Sequence, residues 1–472
     1  MRFLFLTLAE KWEQPGILGH PPNISSSYPP LGLLYIGAAL ENNDHKVEII
    51  DLGIENLSEE NLNNYLKSID AVGISVYTNN YEDADNIAKT IKQLQPELPI
   101  IIGGPHCTFL KEKSLIDIPE ADIAVELEGD EAILDIVEYL IGQKKLADIH
   151  GIFYKENGQI KSGKPYKIIK DMDSLLFPAR HLVEKYEYGA FGMGYISKKK
   201  FTSMLTSRGC AFRCRFCSRY SNVVKGFGFR QRSAESVVEE LKVINEKYNS
   251  VAIVDDNFLA DAKRSHKIFD MILESDIDLD FLIVGARVDS ADSDLYKKMK
   301  KAGVNYISYG IESGNQDILD YYNKKITLDQ IRNAVNLGRK MGFFLSASLI
   351  LGAPIETEQH IKNTIKFVLT LPLDTIVARS FYYDMGAELW NEAVKDGKIS
   401  ENEYVVPIDS NRGLGNFTID EINDYQRKAF KQFYLRPSYI IGQFYRSLKQ
   451  NDIDRIKNTL KIAFSPQIGN VL

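Results

Sequence analysis

The chain has 472 residues, 44% of them hydrophobic and 26% charged, a balance that fits a globular protein and excludes a disordered chain, a collagen or a fibre. At roughly 100–200 residues per domain it predicts two or three domains. With 57 Lys and Arg against 64 Asp and Glu the net charge is −7, so there is no general attraction to nucleic acid or to an anionic membrane. The opening stretch MRFLFLTLAEKWEQPG is broken by Glu10, Lys11 and Glu13. It is too short for a signal h-region or for a span of about 20 residues, which predicts a cytoplasmic protein with no membrane span and no nucleic-acid partner.

From Arg2 to about residue 145, short apolar runs begin near Arg2, Val47, Ala71, Pro99 and Ile123. They alternate with amphipathic stretches from Leu31, Tyr81 and Asp130, the pattern of a doubly wound parallel sheet. Such a sheet binds its ligand in a crevice at the strands' carboxyl ends. Between about Ile149 and Lys200, Gly158, Gly163, Pro165 and Pro178 interrupt short strands, which reads as a linker. From Phe201 six strand-like runs start near residues 201, 250, 281, 306, 343 and 375. One intervening helix opens on Thr-Leu-Asp-Gln at Thr327, a capping box. Aromatic helical sequence from Asp424 follows, its spacing that of a packing surface. The expectation is an α/β protein with a Rossmann-like domain over residues 1–148, a linker over 149–200, a partial (β/α)6 barrel over 201–400 and a helical region over 401–472.

Of four cysteines, three fall within eight residues, Cys210, Cys214 and Cys217, directly after a predicted strand. Thiolates at this spacing curl around one metal cluster from a single loop. Gly209 permits the turn, and Arg208, Arg213, Arg215 and Arg219 supply positive charge. A structural zinc site needs four closed ligands; three suit a cubane of four irons, one of which lacks a protein ligand. Cys107, far upstream, reads as a small buried residue.

The spacing CxxxCxFC, including Phe216, resembles the radical S-adenosylmethionine superfamily. The resemblance implies a [4Fe–4S] cluster whose open iron chelates S-adenosylmethionine, one-electron cleavage to a 5′-deoxyadenosyl radical, and an electron donor such as flavodoxin or ferredoxin. It extends to Asp255-Asp256-Asn-Phe at the second strand end, with polar groups toward the methionine moiety. Arg287 after the third strand pairs, on this resemblance, with the ligand carboxylate, and Glu312 after the fourth holds the ribose. Ser348 to Glu356 resembles the family's GxIxGxPGET stretch beside the adenine, with Gly352 and Pro354 in place and Ser348 where the first glycine stands.

Upstream, the segment from Tyr28 through Gly32 to Leu40 resembles the opening of cobalamin-binding domains in the B12-dependent class of that superfamily. So do Val72 to Thr78, Ile101 to His106, and Glu128-Gly129. The resemblance implies cobalamin held near Gly32, Ser75, Thr78, Gly103, Gly104, His106, Glu128 and Gly129, where strand-end glycines let the backbone approach a bulky ligand. A DxHxxG motif for an axial histidine is absent.

Three functions follow from these resemblances. The first is methyl transfer to an unactivated carbon. The second, similar to the anaerobic Mg-protoporphyrin monomethyl ester cyclases, is cobalamin-assisted oxidative cyclisation or rearrangement. The third is a non-catalytic cobalamin or iron–sulfur sensor, which has no need of Glu312 and Gly352. The rings of Phe381, Tyr382 and Tyr383 after the sixth strand suit a large hydrophobic small-molecule substrate or core packing.

Overall fold

The computed structural model describes residues 1–9, 28–189 and 200–450; parts of the sequence-based expectations, residues 190–199 of the linker and 451–472 of the terminal helical region, lie outside these. The described chain forms two compact units. One holds residues 1–9, 28–188 and Val223–Phe227, and the other holds Gly189, residues 200–222 and residues 228–450.

The first unit is built on β1 (Arg2–Thr7), β2 (Lys46–Asp51), β3 (Ala71–Ser75), β4 (Ile100–Gly103), β5 (Ile123–Val125), β6 (Ile152–Glu156) and β7 (Gln159–Ser162). Their order is β2-β1-β3-β4-β5-β6-β7, with β1 to β5 parallel and β6 and β7 antiparallel. The sheet buries both faces. Leu4, Leu6, Val72, Ile74, Ile100 and Ile102 enter one core, and Phe3, Phe5, Ile49, Ala71, Ile101 and Ile123 the other. That is why the strands read as continuous apolar runs. The order 2-1-3-4-5 reverses direction between β1 and β3, the switch point at which such sheets open a ligand crevice.

The segment read as a linker supplies β6 and β7. Asn157 and Gly158 form a two-residue turn with φ of 53° and 75°, the type I′ geometry that Asn-Gly favours and that matches strand twist. Gly and Pro here punctuate a hairpin instead of ending a domain. A helix at Glu59–Leu66, capped by Ser58, also joins this unit and escapes the periodicity reading.

The second unit carries β8 (Phe201–Met204), β9 (Ser250–Ile253), β10 (Asp280–Ala286), β11 (Val304–Glu312), β12 (Phe344–Leu351) and β13 (Thr375–Ser380). They are parallel and ordered β13-β12-β11-β10-β9-β8, with no pairing between the two ends. All six strands match the sequence expectation, as does the capping box of Thr327 and Gln330. Beyond β13 a short pair, β14 (Tyr382–Asp384) and β15 (Val405–Pro407), runs antiparallel. The terminal helices Ile419–Tyr434 and Pro437–Gln450 dock with Phe430, Phe433, Tyr434 and Tyr439 inward, while Tyr445 is exposed. Phe433 and Tyr434 are buried, and the Tyr434 hydroxyl lies 2.6 Å from Thr375 Oγ1 at the start of β13.

Candidate functional site

In the second unit, Ser207–Arg208 leaves β8 paired with Arg230–Gln231, and Gly209 turns the chain at φ 83° into the cysteine loop. Asp255, at the end of β9, fixes that exit. Its buried carboxylate accepts from Thr206 N (2.6 Å), Thr206 Oγ1 (2.5 Å) and Ser207 Oγ (2.6 Å). Asp255 is therefore committed to holding the start of the loop instead of facing a ligand, because it lies beside the two hydroxyls of the neighbouring strand. Asp256 is exposed, yet desolvation by its surroundings and the charge of Asp255 raise its pKa.

Cys214 is buried, and Cys210 and Cys217 are half-buried. Burial raises the Cys210 thiol, with Asp256 and Cys214 adding to it; burial, Cys214 and Asp256 push Cys217 up to about 12. Ligation through Cys210 and Cys217 must therefore displace protons. Among the described residues no three His, Cys, Asp or Glu side chains are gathered around one metal ion. A cubane asks less of the loop than a mononuclear centre, one thiolate on each of three irons.

The arginines of the loop do not crowd the thiols as a group. Arg215 is tied to Glu388 and Glu392, and Arg219 donates to Phe212 O (2.6 Å) and Asn222. A further cation that faces the loop is Lys324, which the sequence reading passes over. Its Nζ donates to Glu312 Oε1 at 2.7 Å, with both side chains almost wholly buried. Burial pulls the Lys324 pKa down, but Glu312 and Cys214 outweigh it and the net shift is upward. Nζ also lies 5.8 Å from the centre of the Phe216 ring.

Glu312 ends β11 at φ 64°, a costly conformation for a residue with a side chain. A register shift against β12 falls between Gly310 and Glu312, and such a bulge re-aims a side chain. A Cβ on Gly310 would lie 2.6 Å from Glu312 Oε1 and 2.9 Å from Lys324 Nζ, so glycine makes room for the pair. Glu312 Oε2 has Ser348 Oγ at 3.4 Å, which gives the serine that replaces the motif glycine a role.

Arg287 is buried with its fork on Asp289 (3.0 and 2.8 Å), a bond to Lys324 O and its plane 3.6 Å from the centre of the Phe212 ring. These bonds take up its Nε and Nη2 donors. Gly352, at φ 92°, is packed so that a Cβ would touch Ile422 at 3.0 Å; the terminal helix covers it. Pro354 is half-buried in the same turn. Glu356 is wholly buried, its Oε2 accepting from Gly352 N (2.6 Å) and Ala353 N (2.9 Å), and burial raises its pKa to about 7. The buried polar atoms at this end of the barrel without a hydrogen-bond partner among the described residues include Asn257 Oδ1, Tyr322 Oη and Glu356 Oε1. Buried orphans of this kind fit a site that takes a polar ligand.

In the first unit the expected residues divide. Ser75 and Thr78 are half-buried at the carboxyl end of β3. Asn80, unforeseen in the sequence, is buried there and ties the switch point, accepting from Tyr77 N (2.8 Å) and donating to Ala9 O (3.5 Å). Among the described residues, Gly32 has no atom within 4 Å of where a Cβ would stand, and a Cβ on Gly103 would meet only Val125, at 3.8 Å. The fold does not require glycine at either place, and the space suits a bulky ligand. Gly104 differs: at φ 108° its Cβ would lie 2.8 Å from Val76 O, so the backbone demands glycine there. Gly129, opening a helix, is hemmed by Ile36 at 3.1 Å. Glu128 accepts from Ile169 N at 3.0 Å. His106 is fully buried, stacked on Tyr81 (5.0 Å, 5°) and 3.4 Å from Asp117, so its ring faces the core of the unit. Cys107 is fully buried with its thiol raised to about 12.

Two family models match the chain in series, the B12 binding domain over residues 23–137 and the Radical SAM superfamily over residues 204–368. An uncharacterized methyltransferase of Pyrococcus horikoshii is 32% identical over 428 residues, covering 89% of this chain and 91% of that protein. The chain belongs to the B12-binding radical S-adenosylmethionine family. It is a radical S-adenosylmethionine enzyme with a B12 domain, and the groups that go with this membership are a [4Fe–4S] cluster, S-adenosylmethionine and cobalamin. The chain is also similar to the cytidylyl-2-hydroxyethylphosphonate methyltransferase of Streptomyces wedmorensis (24% identity, 86% of each chain). With the anaerobic magnesium-protoporphyrin IX monomethyl ester cyclase of Rubrivivax gelatinosus it shares 25% identity, over 78% of this chain and 65% of that one. Its fold is that of the cobalamin-dependent S-adenosylmethionine radical enzyme OxsB (TM-score 0.71, 18% identity, 96% of this chain and 71% of that chain). No helix of the described residues is long and apolar enough to cross a membrane.

Proposed function

We propose that this enzyme transfers a methyl group to an unactivated carbon of a small-molecule substrate. The supporting observation is similarity: the relative from Pyrococcus horikoshii that is 32% identical is named a methyltransferase, whereas the Rubrivivax gelatinosus cyclase is 25% identical. When bound, the cofactors supply one-electron cleavage of S-adenosylmethionine and a methyl carrier.

The protein's part is to hold and orient. Cys210, Cys214 and Cys217 would hold the cluster, one iron to each thiolate. Lys324 offers the buried cation for an amino-acid carboxylate, while Glu312 Oε2 and Ser348 offer acceptors for hydroxyls. Gly32, Ser75, Thr78 and Gly103 would border cobalamin. Phe216 meets Tyr322 edge-on at 4.8 Å, and Tyr322 stacks on Phe381; these rings tie the loop to the core beneath it. An electron donor of the flavodoxin or ferredoxin class supplies the reductant.

The test incubates anaerobically reconstituted, reduced enzyme and cobalamin with S-adenosylmethionine labelled in its methyl group. Label entering the corrinoid fraction, together with deoxyadenosine, is expected. Deoxyadenosine without label in the corrinoid would favour cyclisation and overturn methyl transfer.

A further inference from the structure

The open sheet leaves β8 and β13 as unpaired edges, yet the loop that leaves β8 does not end there. Arg215, between the second and third cysteines, sends its guanidinium to the helix Glu388–Lys395, which follows β13. Nε donates to Glu388 Oε1 at 2.7 Å, and Nη2 donates to both oxygens of Glu392 at 2.6 Å. Nη1 reaches Tyr321 O at 3.2 Å, and the guanidinium lies 4.9 Å from the centre of the Tyr321 ring. The main chain repeats the link. Arg215 N donates to Tyr322 O (3.0 Å) and Leu389 N donates to Arg215 O (3.1 Å). Just before that helix starts, Ser218 Oγ donates to Met385 O and Asn222 Nδ2 donates to Gly386 O.

An isolated surface ion pair contributes little, but a forked guanidinium shared between two carboxylates is the exception. The Arg215 side chain is only 21% exposed. Its charge is spent on the two glutamates, which explains why it does not serve the thiols. We infer that Arg215 is a positioning residue, the latch that joins the cysteine loop of one edge strand to the helix beyond the opposite edge strand and so fixes the loop across the mouth of the open barrel. The inference rests on the reading that the three cysteines hold the cluster.

The test compares wild type, Arg215→Gln, Arg215→Lys and the pair Glu388→Gln with Glu392→Gln, each as the full chain reconstituted anaerobically. Iron and sulfide per chain are measured, then the electron paramagnetic resonance of the reduced cluster with and without S-adenosylmethionine, then deoxyadenosine formed per cluster. Arg215→Gln should keep iron but lose the spectral change that S-adenosylmethionine induces. Turnover per cluster should fall on the order of a hundredfold, the scale set by small misplacement of a reacting group. The glutamate pair lies outside the loop and should reproduce this, while Arg215→Lys should restore part of it. If Arg215→Gln and the glutamate pair both show wild-type spectra and turnover per cluster, the latch is wrong while the cysteine assignment stands. Wild type that holds no iron would overturn the cysteine assignment and the latch with it.

Discussion

Glu312 shows how one residue serves two demands. Its carboxylate points where it does because the backbone accepts a positive φ and Gly310 leaves space, and half of that carboxylate is already taken by Lys324. Breaking a buried ion pair by removing one partner typically costs about 3–5 kcal/mol, while removing both is often nearly neutral. Lys324→Met should therefore destabilise the protein by about 3–5 kcal/mol in urea unfolding. Lys324→Met combined with Glu312→Gln should recover most of that loss, while S-adenosylmethionine affinity stays low in both. Full recovery of ligand affinity in the double variant would place the ligand elsewhere. Glu356 gives a pH prediction. Its pKa is raised from 4.5 to about 7, so in this window the folded state holds a proton that the unfolded state has released. Its contribution is present below about 4.5 and is lost as pH rises through about 7. Glu356→Gln keeps an oxygen for Gly352 N and Ala353 N but cannot ionise, so its stability relative to wild type should increase from pH 5 to pH 8. A constant difference between the two proteins across that range would show that Glu356 does not titrate there.

At the scale of elements, strands are far more legible in the sequence than the side chains at their ends. The parallel strands of both sheets announce themselves because burial on two faces leaves few polar positions, as in Ile100–Gly103 and Phe344–Leu351. The hairpin of β6 and β7 is lost in reading because a turn made by Asn157 and Gly158 looks, one residue at a time, like any glycine-rich connection. The pair β14 and β15 has three residues per strand, too few for an alternation to register. Lys324 follows a helix and stands beside Lys325, so its sequence resembles a solvated end; only the fold brings it to Glu312. Asp255 is misread in another way. Its position at a strand end is right, but hydrogen bonding to the adjacent strand, invisible in one dimension, decides its partners. Asp255→Ala should thus act through the loop. It strands Thr206 N and two hydroxyls, each buried orphan costing about 1–3 kcal/mol, and should lower iron content although all three cysteines remain. Wild-type iron in a stable Asp255→Ala protein would show that the cysteine loop needs no such anchor.

At the scale of the whole molecule, each unit has its own core and presents its candidate ligand residues at the carboxyl ends of parallel strands. The two sites can therefore be damaged separately, and the ratio of bound cobalt to bound iron reports which one fails. The choice of glycine matters for such a test. Replacing Gly104 would force a side chain onto Val76 O in a backbone conformation that favours glycine, so loss of cobalamin from that variant would say only that the sheet edge had been distorted. Gly32 is exposed, lies in the first turn of the helix Leu31–Glu41 and, among the described residues, has no atom within 4 Å of where a Cβ would stand. A Cβ there meets no described residue, and glycine is a poor helix former, by about 1 kcal/mol against alanine. Gly32→Ala should hold or gain stability and keep cobalamin. Gly32→Phe should keep the fold and the full iron content, yet lose cobalt after anaerobic loading with hydroxocobalamin, because the ring would occupy space the corrin needs. Equal cobalt in Gly32→Phe and wild type, with unchanged thermal unfolding, would remove the start of this helix from the cobalamin site.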